Sequence, residues 1–337
     1  MPVRGEPNML TYIIRRLLIF IPMLLAISMI SFVIIQLPPG SFLESKLIAL
    51  QQASGDASAA IQVEYLKHRY GLDKPPTVQY LLWIKGIVTK GDFGQSFAYD
   101  KEVNEVIWSY VGFTVLISAT SLALVYLLAI PLGCLAAVKK YRWQDNLVSA
   151  ISFIGMSFPE FLLALFLVVG GLLWLDYAFI GLFAPEFTFA PWSWRKLVGL
   201  LKHLPVPAAV VAINGTAGLM RIMRGSMLEV LGQQYIMTAR AKGLPEHKVI
   251  GKHALRMAIN PLISILGMSL PGLLSGSAII SIVMNLPTAG LLLFEALQTE
   301  DMYLAGTLIL MFSLLLLIGN LLADIALAIA DPRIRYD

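Results

Sequence analysis

The sequence predicts an all-α, polytopic membrane protein, and three observations predict this class. Hydrophobic residues make up 58% of the 337 residues. Charged residues make up only 14%, whereas soluble domains carry about 25%. Uncharged runs are long enough to cross a bilayer, since about 20 apolar residues in a helix span a hydrocarbon core of ~30 Å. With a mean hydropathy of +0.76, the chain has too little charge to cover a water-facing surface, and it is too apolar for intrinsic disorder.

Six uncharged runs predict six transmembrane helices. The fifth run exceeds one span, and Pro287 near its end predicts a break there. The first run follows Arg15 and Arg16 and is longer than the ~7–15 residues of a signal-peptide core, so we interpret it as an uncleaved anchor. Continuous Leu-rich runs do not alternate as β-barrel strands do. The runs are 17–43, 106–138, 146–175 (interrupted only by Glu160), 203–220, 257–294 and 302–323.

The distribution of Lys and Arg predicts that both termini are cytoplasmic. In this orientation the inner segments contain 15 of the 25 basic residues. Most of the others lie in 41–105, a segment too long for the positive-inside rule to apply reliably. The outer segment 286–301 has no Lys or Arg but carries three acids. We therefore read the net charge of +4 as a determinant of topology rather than as a nucleic-acid-binding feature.

The same reading divides the chain into four parts. Residues 1–37 form the cytoplasmic N-terminus and the first transmembrane helix, and residues 38–105 form an extracytoplasmic helical subdomain. Residues 106–330 form a five-helix core that includes the cytoplasmic loop 225–256, and residues 331–337 form a cytoplasmic tail. Within the subdomain, Val78 to Ile87 predicts a short amphipathic helix.

The longest cytoplasmic connection, 221–256, is strongly basic. It contains seven Lys or Arg residues and only two acids. Tyr235 to Lys242 consists of helix formers, Gly243 suits a helix C-cap because it adopts positive φ easily, and Pro245 can open the next helix. The pattern predicts helix, tight turn, helix, with small residues at the bend. A basic loop that only fixes topology is the alternative interpretation.

Catalytic and metal-binding motifs are absent from the sequence. No G-x-x-x-x-G-K-[ST] or H-E-x-x-H motif occurs. His247 and His253 are six residues apart and do not share a helix face, and Cys134 is the only cysteine. We therefore expect no catalytic residue, no metal site and no disulfide framework.

Several motifs, in order along the chain, resemble those of one transporter family. The loop contains Thr238-Ala-Arg-Ala-Lys-Gly243-Leu followed by His253-Ala-Leu-Arg256. Together with the other motifs they resemble the dipeptide/oligopeptide/nickel permeases of ABC importers, the B-type oligopeptide subunit in particular, over about residues 9–335. The other motifs are Tyr12-Ile-Ile-Arg-Arg-Leu-Leu18, Leu37-Pro-Pro-Gly40, Tyr70-Gly-Leu-Asp-Lys-Pro75, Gly91-Asp-Phe-Gly94, Arg221 with Arg224, and Asp331-Pro-Arg-Ile-Arg335.

The resemblance implies a type I ABC-importer permease in the inner membrane of a prokaryote, without chemistry of its own. In that family two permeases pair, two ATPase subunits dock beneath them, and an extracytoplasmic solute-binding protein delivers the substrate. ATP would be bound by the partner subunits, so no cofactor is expected here. By analogy, Ala239 to Glu246 would form a coupling helix within loop 235–252. The implied coupling residues are Thr238, Ala239, Arg240, Ala241, Lys242, Gly243, Leu244, Pro245 and Glu246.

The sequence leaves the substrate open. Relative to the family pattern, Met257 replaces an Asn, Ser281 replaces an acidic residue, and Pro287-Thr-Ala-Gly290 replaces Pro-Gly-x-Gly. The last two changes lie near the expected translocation path, so oligosaccharides or other small solutes stay as alternatives to peptides. An ion-coupled secondary transporter is disfavoured because no internal repeat is present. An intramembrane enzyme is disfavoured because no paired catalytic motif occurs.

Two residues are candidates for the translocation path. Glu160 is an ionisable residue inside an apolar run, where a charge is costly and therefore indicates function. Ser281 is the second candidate, from its position in the fifth span. For Glu160 the structural alternative is an interior carboxylate paired with a neighbouring helix.

Overall fold

The computed structural model describes residues 9–36, 64, 68, 71, 74–96, 98–187, 190–266 and 278–330. Over these residues the chain is mostly helical, and its only strands form one short antiparallel ribbon. The motifs at 37–40 and 331–335 lie outside the described residues, as does most of the motif at 70–75. The mostly helical class is confirmed.

The longer helices are numbered α1 to α11 in chain order. Between α8 and α9 the chain forms a segment of mixed helical types, 246–266, which we call the return segment. It comprises an α-helical turn Glu246–Lys248, a π-helix Val249–Ala254, an α-helical turn Leu255–Ala258 and a helix over 260–266. The numbered helices are α1 (Met9–Gln36), α2 (Pro76–Lys90), α3 (Val103–Val138), α4 (Trp143–Ser157), α5 (Glu160–Leu175), α6 (Trp194–His203), α7 (Pro205–Leu231), α8 (Gln234–Ala241), α9 (Ala278–Met284), α10 (Ala289–Gln298) and α11 (Met302–Ala330).

Among the described residues, four stretches of helix are long and apolar enough to cross a membrane. They are Ile13–Ile34, Val103–Val138, Trp194–Leu231 and Met302–Leu322. The number rises to six if each of two broken pairs, α4 with α5 and α9 with α10, is counted as one span. The described helices therefore confirm several membrane spans, while a count of six stays a prediction.

The third predicted span is broken into two helices rather than continuous. The axes of α4 and α5 differ by 92° at a break between Ser157 and Glu160. Phe158 is extended there, with φ −88° and ψ 126°. Pro159 explains this geometry, because it lacks an N–H and disfavours helical conformation in the residue before it. The sequence analysis counted 146–175 as one span and did not predict this break.

The fourth and fifth runs also differ in extent from their predicted spans. α7 does not end at Met220 but continues to Leu231, so part of the predicted cytoplasmic connection is helical. In the fifth run the expected break at Pro287 is confirmed, since α9 ends at Met284 and α10 begins after Thr288. The Thr288 hydroxyl accepts a hydrogen bond from the Leu291 amide and caps α10.

One compact unit contains residues 13–113 and 288–317. The ribbon strands β1 (Gln95–Ser96) and β2 (Lys101–Glu102) lie in this unit. The fully buried Asp301 carboxylate accepts hydrogen bonds from the Ser96 hydroxyl at 2.6 Å and from the Ala98 amide at 3.1 Å. It also caps α11 through the Leu304 amide at 3.3 Å. Asp301, expected as an outer loop acid, therefore ties the ribbon to the start of the last helix.

The other compact unit contains residues 114–287 and the two chain ends. Its apolar core joins the second half of α3 to α4, α7, α8 and the return segment. Gly133 of α3 lies directly against α7: a Cβ atom at this position would be 2.7 Å from the Met223 Cβ and 2.8 Å from the Met220 carbonyl oxygen. A glycine is required because the two backbones approach too closely for any side chain.

We predict that Gly133→Ala destabilises the protein by about 1–3 kcal/mol, the usual cost of overpacking. The added methyl group would meet a backbone carbonyl on α7, which cannot rotate away as a side chain can. Thermal unfolding of the purified protein in detergent measures the effect. Gly218→Ala on α7 is the matched control, since a Cβ there would meet no atom within 4 Å. Equal unfolding temperatures for the two variants would contradict the close approach.

Candidate functional site

The predicted helix–turn–helix in the basic loop is confirmed. α8 ends at Ala241, and the next helical turn begins at Glu246. In the turn between them Gly243 has φ +72°, and its amide donates to the Arg240 carbonyl at 2.9 Å. Pro245 is extended, and its carbonyl accepts the first hydrogen bond of the return segment, from the Lys248 amide at 2.9 Å.

The expectation of a single coupling helix over 239–246 is wrong. This range comprises the last residues of α8, a turn, and the first residue of the return segment. The cause is local, because the left-handed conformation of Gly243 ends one helix and Pro245 cannot donate an intrahelical hydrogen bond. The exposed surface of this region is therefore a turn between two helix ends.

An ion pair closes this turn. The Arg240 Nη2 lies 2.6 Å from the Glu246 Oε1, and the Arg240 Nε lies 3.2 Å from the Glu246 Oε2. Both side chains are exposed, and the Arg240 guanidinium lowers the pKa of Glu246, so the carboxylate stays charged at neutral pH. Sequence reasoning named both residues but missed their contact. The sequence signal that could have predicted this contact is a pair of opposite charges on either side of Gly243 and Pro245.

Buried residues on the other side of the turn attach it to the core. Ile236 and Val249 are fully buried, and Ala239 is 7% exposed. All three belong to the cluster that includes Met223 and Met227 of α7. Ala239, one of the candidate coupling residues, is therefore buried and attaches the turn to the core. The other eight candidate coupling residues are exposed: Thr238, Arg240, Ala241, Lys242, Gly243, Leu244, Pro245 and Glu246.

A π-helix over Val249–Ala254 makes this anchoring possible. In an α-helix, residues five apart point about 140° away from each other. The i→i+5 hydrogen bonds of a π-helix bring such residues onto the same face. Val249 and Ala254 are five apart, and both are fully buried in the core. The sequence predicted an ordinary helix here and gave no sign of the wider turn.

An ion pair between Asp145 and Arg224 joins α4 to α7. Asp145 in the first turn of α4 is 3% exposed, and its carboxylate accepts two hydrogen bonds from Arg224 of α7. These run from Nε at 2.6 Å and from Nη2 at 2.8 Å. The Tyr141 amide also donates to the carboxylate, at 2.9 Å. The sequence marked Arg224 as part of a motif but gave no indication of its partner.

Glu160 is the first residue of α5 and lines a cavity of about 600 Å³. Asn214 of α7 lies near the Glu160 side chain. Both interpretations of Glu160, as a residue of the translocation path and as an interior carboxylate paired with a neighbouring helix, stay predictions. The cavity lies between α4, α5 and α7 and is lined by Ile151, Ile154, Gly155, Phe158, Glu160, Leu163, Phe166, Val210 and Ile213.

Ser281 does not lie on this cavity. It is fully buried in α9, a helix that packs against α5. Its backbone carbonyl accepts a hydrogen bond from the Leu286 amide at 2.8 Å, where the chain turns after α9. Among the described residues no group of three or more His, Cys, Asp or Glu side chains could hold a metal ion.

Apolar helices long enough to cross a bilayer and an exposed turn on a buried core define a multi-pass membrane component. The chain belongs to the family described as binding-protein-dependent transport system inner membrane component, which matches residues 129–336. The N-terminal region of that family matches residues 9–120. The protein is therefore a permease subunit of an ABC importer in the inner membrane.

Relatives of known name match along nearly the full length. The chain is 35% identical over 332 residues to the oligopeptide transport system permease protein AppB of Bacillus subtilis, covering 97% of this chain and 100% of that protein. Identity is 33% to OppB, an oligopeptide permease protein of Haemophilus influenzae, with the same coverage. It is 34% to the glutathione transport system permease protein GsiC of Shigella flexneri, again with the same coverage.

We predict that Arg224→Met destabilises the protein by about 1.5–3 kcal/mol, because the buried Asp145 carboxylate loses its charged donor. Arg224→Lys should lose less stability than Arg224→Met, because lysine keeps the charge but cannot make the paired hydrogen bonds. Thermal unfolding in detergent measures both variants.

Arg221→Met is the control for lost charge on the same helix. Arg221 is exposed, and its contacts with the described residues are to uncharged groups, the Met156 sulfur at 3.6 Å and the Phe153 ring at 4.7 Å. Its loss should cost less than about 1 kcal/mol. Equal losses of stability for Arg221→Met and Arg224→Met would show that the Asp145–Arg224 ion pair does not stabilise the protein.

Proposed function

We propose that the chain forms half of a translocation pathway for peptides or peptide-like solutes and is driven through the turn between α8 and the return segment. A second, homologous permease forms the other half. The named relatives support the substrate class, because both oligopeptides and glutathione are peptides. Oligosaccharides or other small solutes remain the second candidate, because Ser281 and Pro287-Thr-Ala-Gly290 depart from the pattern of the peptide permeases.

The proposed topology has six membrane crossings with both termini in the cytoplasm. α7 supports it, since 27 helical residues extend about 40 Å, enough to cross a hydrocarbon core of ~30 Å. The two ends of α7 then lie on opposite faces of the membrane. The basic excess in 221–256 assigns the C-terminal end to the cytoplasm. In this arrangement 38–105 is extracytoplasmic and 106–330 is the transport core.

The turn has the properties needed for docking a cytoplasmic partner. Its exposed residues include three basic ones, Arg240, Lys242 and Lys248. Glu246 pairs with Arg240, so the turn keeps a net positive charge. We assign the partner as one of two ATPase subunits, which bind the ATP, while this chain contributes no catalytic group. A solute-binding protein would deliver the substrate to the opposite face.

The observation that carries the proposal is that the exposed turn is fixed to a buried core. Ile236, Ala239 and Val249 connect it to α7, and through the same cluster to α3 and α4. When the ATPase subunits close, a displaced turn therefore moves these helices with it instead of bending away. The turn creates no energy itself; it transmits a bias between inward-facing and outward-facing states.

The decisive experiment is reconstitution in proteoliposomes with the partner subunits and the binding protein. Peptide uptake should require all of them together with ATP. Uptake by the purified chain alone, without nucleotide, would overturn the proposal.

We predict that Gly243→Val uncouples transport from ATP hydrolysis. A side chain at φ +72° costs about 1–2 kcal/mol and reshapes the turn, although a Cβ there would meet no atom within 4 Å. Substrate-stimulated ATP hydrolysis should fall about tenfold, within the range of a coupling free energy of 1–3 kcal/mol. Membrane insertion and assembly should be retained.

Gly232→Val is the matched control for Gly243→Val. Gly232 has φ −84°, so it lacks the positive φ that makes a side chain at Gly243 costly, and it lies just before α8. Its variant should keep substrate-stimulated hydrolysis. Unchanged hydrolysis in Gly243→Val would refute the role assigned to the turn.

We also predict that reversing the ion pair rescues its single variants. Arg240→Glu would place two carboxylates across the turn, and Glu246→Arg would place two guanidinium groups there. Each should reduce substrate-stimulated ATP hydrolysis without lowering the unfolding temperature, because exposed ion pairs add little stability. The double variant Arg240→Glu/Glu246→Arg should recover most of the hydrolysis. A double variant no better than either single one would show that the pair does not shape the turn.

A further inference from the structure

We propose that a groove between α3 and α4 binds an anionic phospholipid, with an acyl chain in the groove and the headgroup at the α3–α4 turn, residues 139–142. The groove has a volume of about 160 Å³, and α7 contributes Met220 to its lining. Pockets that hold a whole small ligand measure about 300–1,000 Å³. The groove is therefore the size of part of a molecule, such as a segment of hydrocarbon chain. The inference goes beyond the proposed function, since it concerns the membrane and not the solute.

Apolar side chains line the groove and leave it open. Of its eight lining residues only Gln144 is polar. Leu147 and Ile151 are 50% and 51% exposed, so the rest of the described chain does not cover them. Beside helices that are long enough to cross a membrane, such a surface favours contact with lipid chains over contact with water. The lining residues are Leu132, Leu135, Trp143, Gln144, Leu147, Val148, Ile151 and Met220.

Three basic residues, Lys139, Lys140 and Arg142, lie in the α3–α4 turn at one end of the groove. The Lys139 amide donates to the carbonyl of the lining residue Leu135 at 2.9 Å, so Lys139 follows it on the same side of the helix. Arg142 directly precedes Trp143, another lining residue. Within the described part of the chain, no carboxylate lies within ion-pair distance of these three side chains. Their positive charge is therefore available to a ligand.

Asp145 holds the α3–α4 turn in one conformation. Tyr141 has φ +62°, a left-handed conformation that is costly for a residue other than glycine. Its amide donates to the Asp145 carboxylate at 2.9 Å. The charge of Asp145 is in turn paired with Arg224, so this acid does not cancel the charge of the turn. A turn fixed in this way needs little reordering when it binds an anion.

The positions of charge and apolar surface together favour an anionic phospholipid. Lys and Arg side chains bind phosphate oxygens through charge-assisted hydrogen bonds, and the acyl chain would fill the groove. A zwitterionic lipid would bring its own ammonium group close to three cations. The proposed topology places the turn at the cytoplasmic leaflet, which carries a negative surface potential, and basic pockets between helices on that side bind anionic headgroups. An acidic and apolar segment of a partner subunit is the alternative occupant.

The test measures which lipid lies next to the groove in the assembled transporter. Leu147→Cys, in a Cys134→Ala background, carries a bimane fluorophore that brominated acyl chains quench on contact. The vesicles contain phosphatidylcholine as the major lipid and phosphatidylglycerol as the minor one, with bromine on only one of the two. The ratio of quenching in the two kinds of vesicle gives the local share of phosphatidylglycerol. We expect an enrichment over the bulk membrane of about fivefold or more, because each Lys or Arg near an anionic surface contributes about that factor.

Charge variants of the turn test the headgroup contact. Lys140→Gln/Arg142→Gln removes two exposed charges and should bring the lipid ratio at the fluorophore close to the bulk value. Lys140→Arg/Arg142→Lys keeps both charges and should keep most of the enrichment. Unfolding temperatures measured on the same samples should be unchanged, because both side chains are exposed. Enrichment that survives the loss of both charges would overturn the headgroup site.

Arg195→Gln/Lys202→Gln is the matched control for the neutralised turn. It also removes two exposed charges, both on α6. The part of α7 from Pro205 to Met220 separates α6 from the groove by about 22 Å, more than the screening length of about 10 Å at 0.1 M salt. This variant should keep the enrichment. A loss equal to that of the turn variant would show that only the total charge matters and would refute the site.

A second fluorophore position tests whether the lipid is held in the groove. Leu127 of α3 is 70% exposed and does not line the groove, so Leu127→Cys should report a ratio close to the bulk value. Equal enrichment at both positions would show diffuse attraction to the whole chain and would refute the groove.

A comparison with the chain alone tests the alternative occupant. Quenching at Leu147→Cys in the chain alone but not in the assembled transporter would show that a partner subunit covers the groove, and it would overturn the lipid site. The measurement requires neither ATP nor solute. Failed peptide uptake with normal enrichment would therefore reject the proposed function and leave the lipid site in place, whereas normal uptake without enrichment would reject only the lipid site.

Discussion

The burial of one side of a short turn is the constraint on which the proposed coupling role of this chain depends. A turn with nine successive exposed residues, 240–248, would by itself bend under load. It is held because Ile236, Ala239 and Val249 reach into the same apolar cluster as the inner half of α7. The polar side can then contact a partner while the apolar side belongs to the transmembrane helices. The separation of the two sides makes the turn a mechanical element rather than a mobile loop.

The same core is kept rigid by contacts of two kinds. Gly133 lets α3 and α7 approach until their backbones almost touch, and Asp145 with Arg224 fixes α4 to α7 through charge. The first contact depends on shape and the second on hydrogen-bond geometry, so they resist displacement in different directions. We expect helices joined by such contacts to move together in the proposed transport cycle.

The sequence was sufficient for the features set by composition and by single residues. Long apolar runs gave the membrane class, and Gly243 and Pro245 gave the turn, because these residues have backbone preferences that hardly depend on context. The break at Pro287 was foreseen for the same reason. The break at Pro159 was not predicted, because the run 146–175 was counted as one span, although the proline is visible in the sequence.

Features that depend on distant partners could not be predicted. The pairing of Asp145 with Arg224 and the burial of Asp301 join residues far apart along the chain, and no local pattern encodes them. The cavity beside Glu160 likewise arises from three helices that meet only in the folded protein. The motif at 238–246 predicted an exposed turn in this region, but only the fold showed that Ala239 is buried.

The π-helix at Val249–Ala254 has a mechanical consequence. A turn of π-helix is wider than a turn of α-helix and contains one additional residue. If the π-helix converted to α-helix, that residue would be released. The adjoining helix would then rotate by about 100° and move by about 1.5 Å along its axis. Such a change would rotate the helix over 260–266 relative to the proposed coupling turn by the angle of one residue.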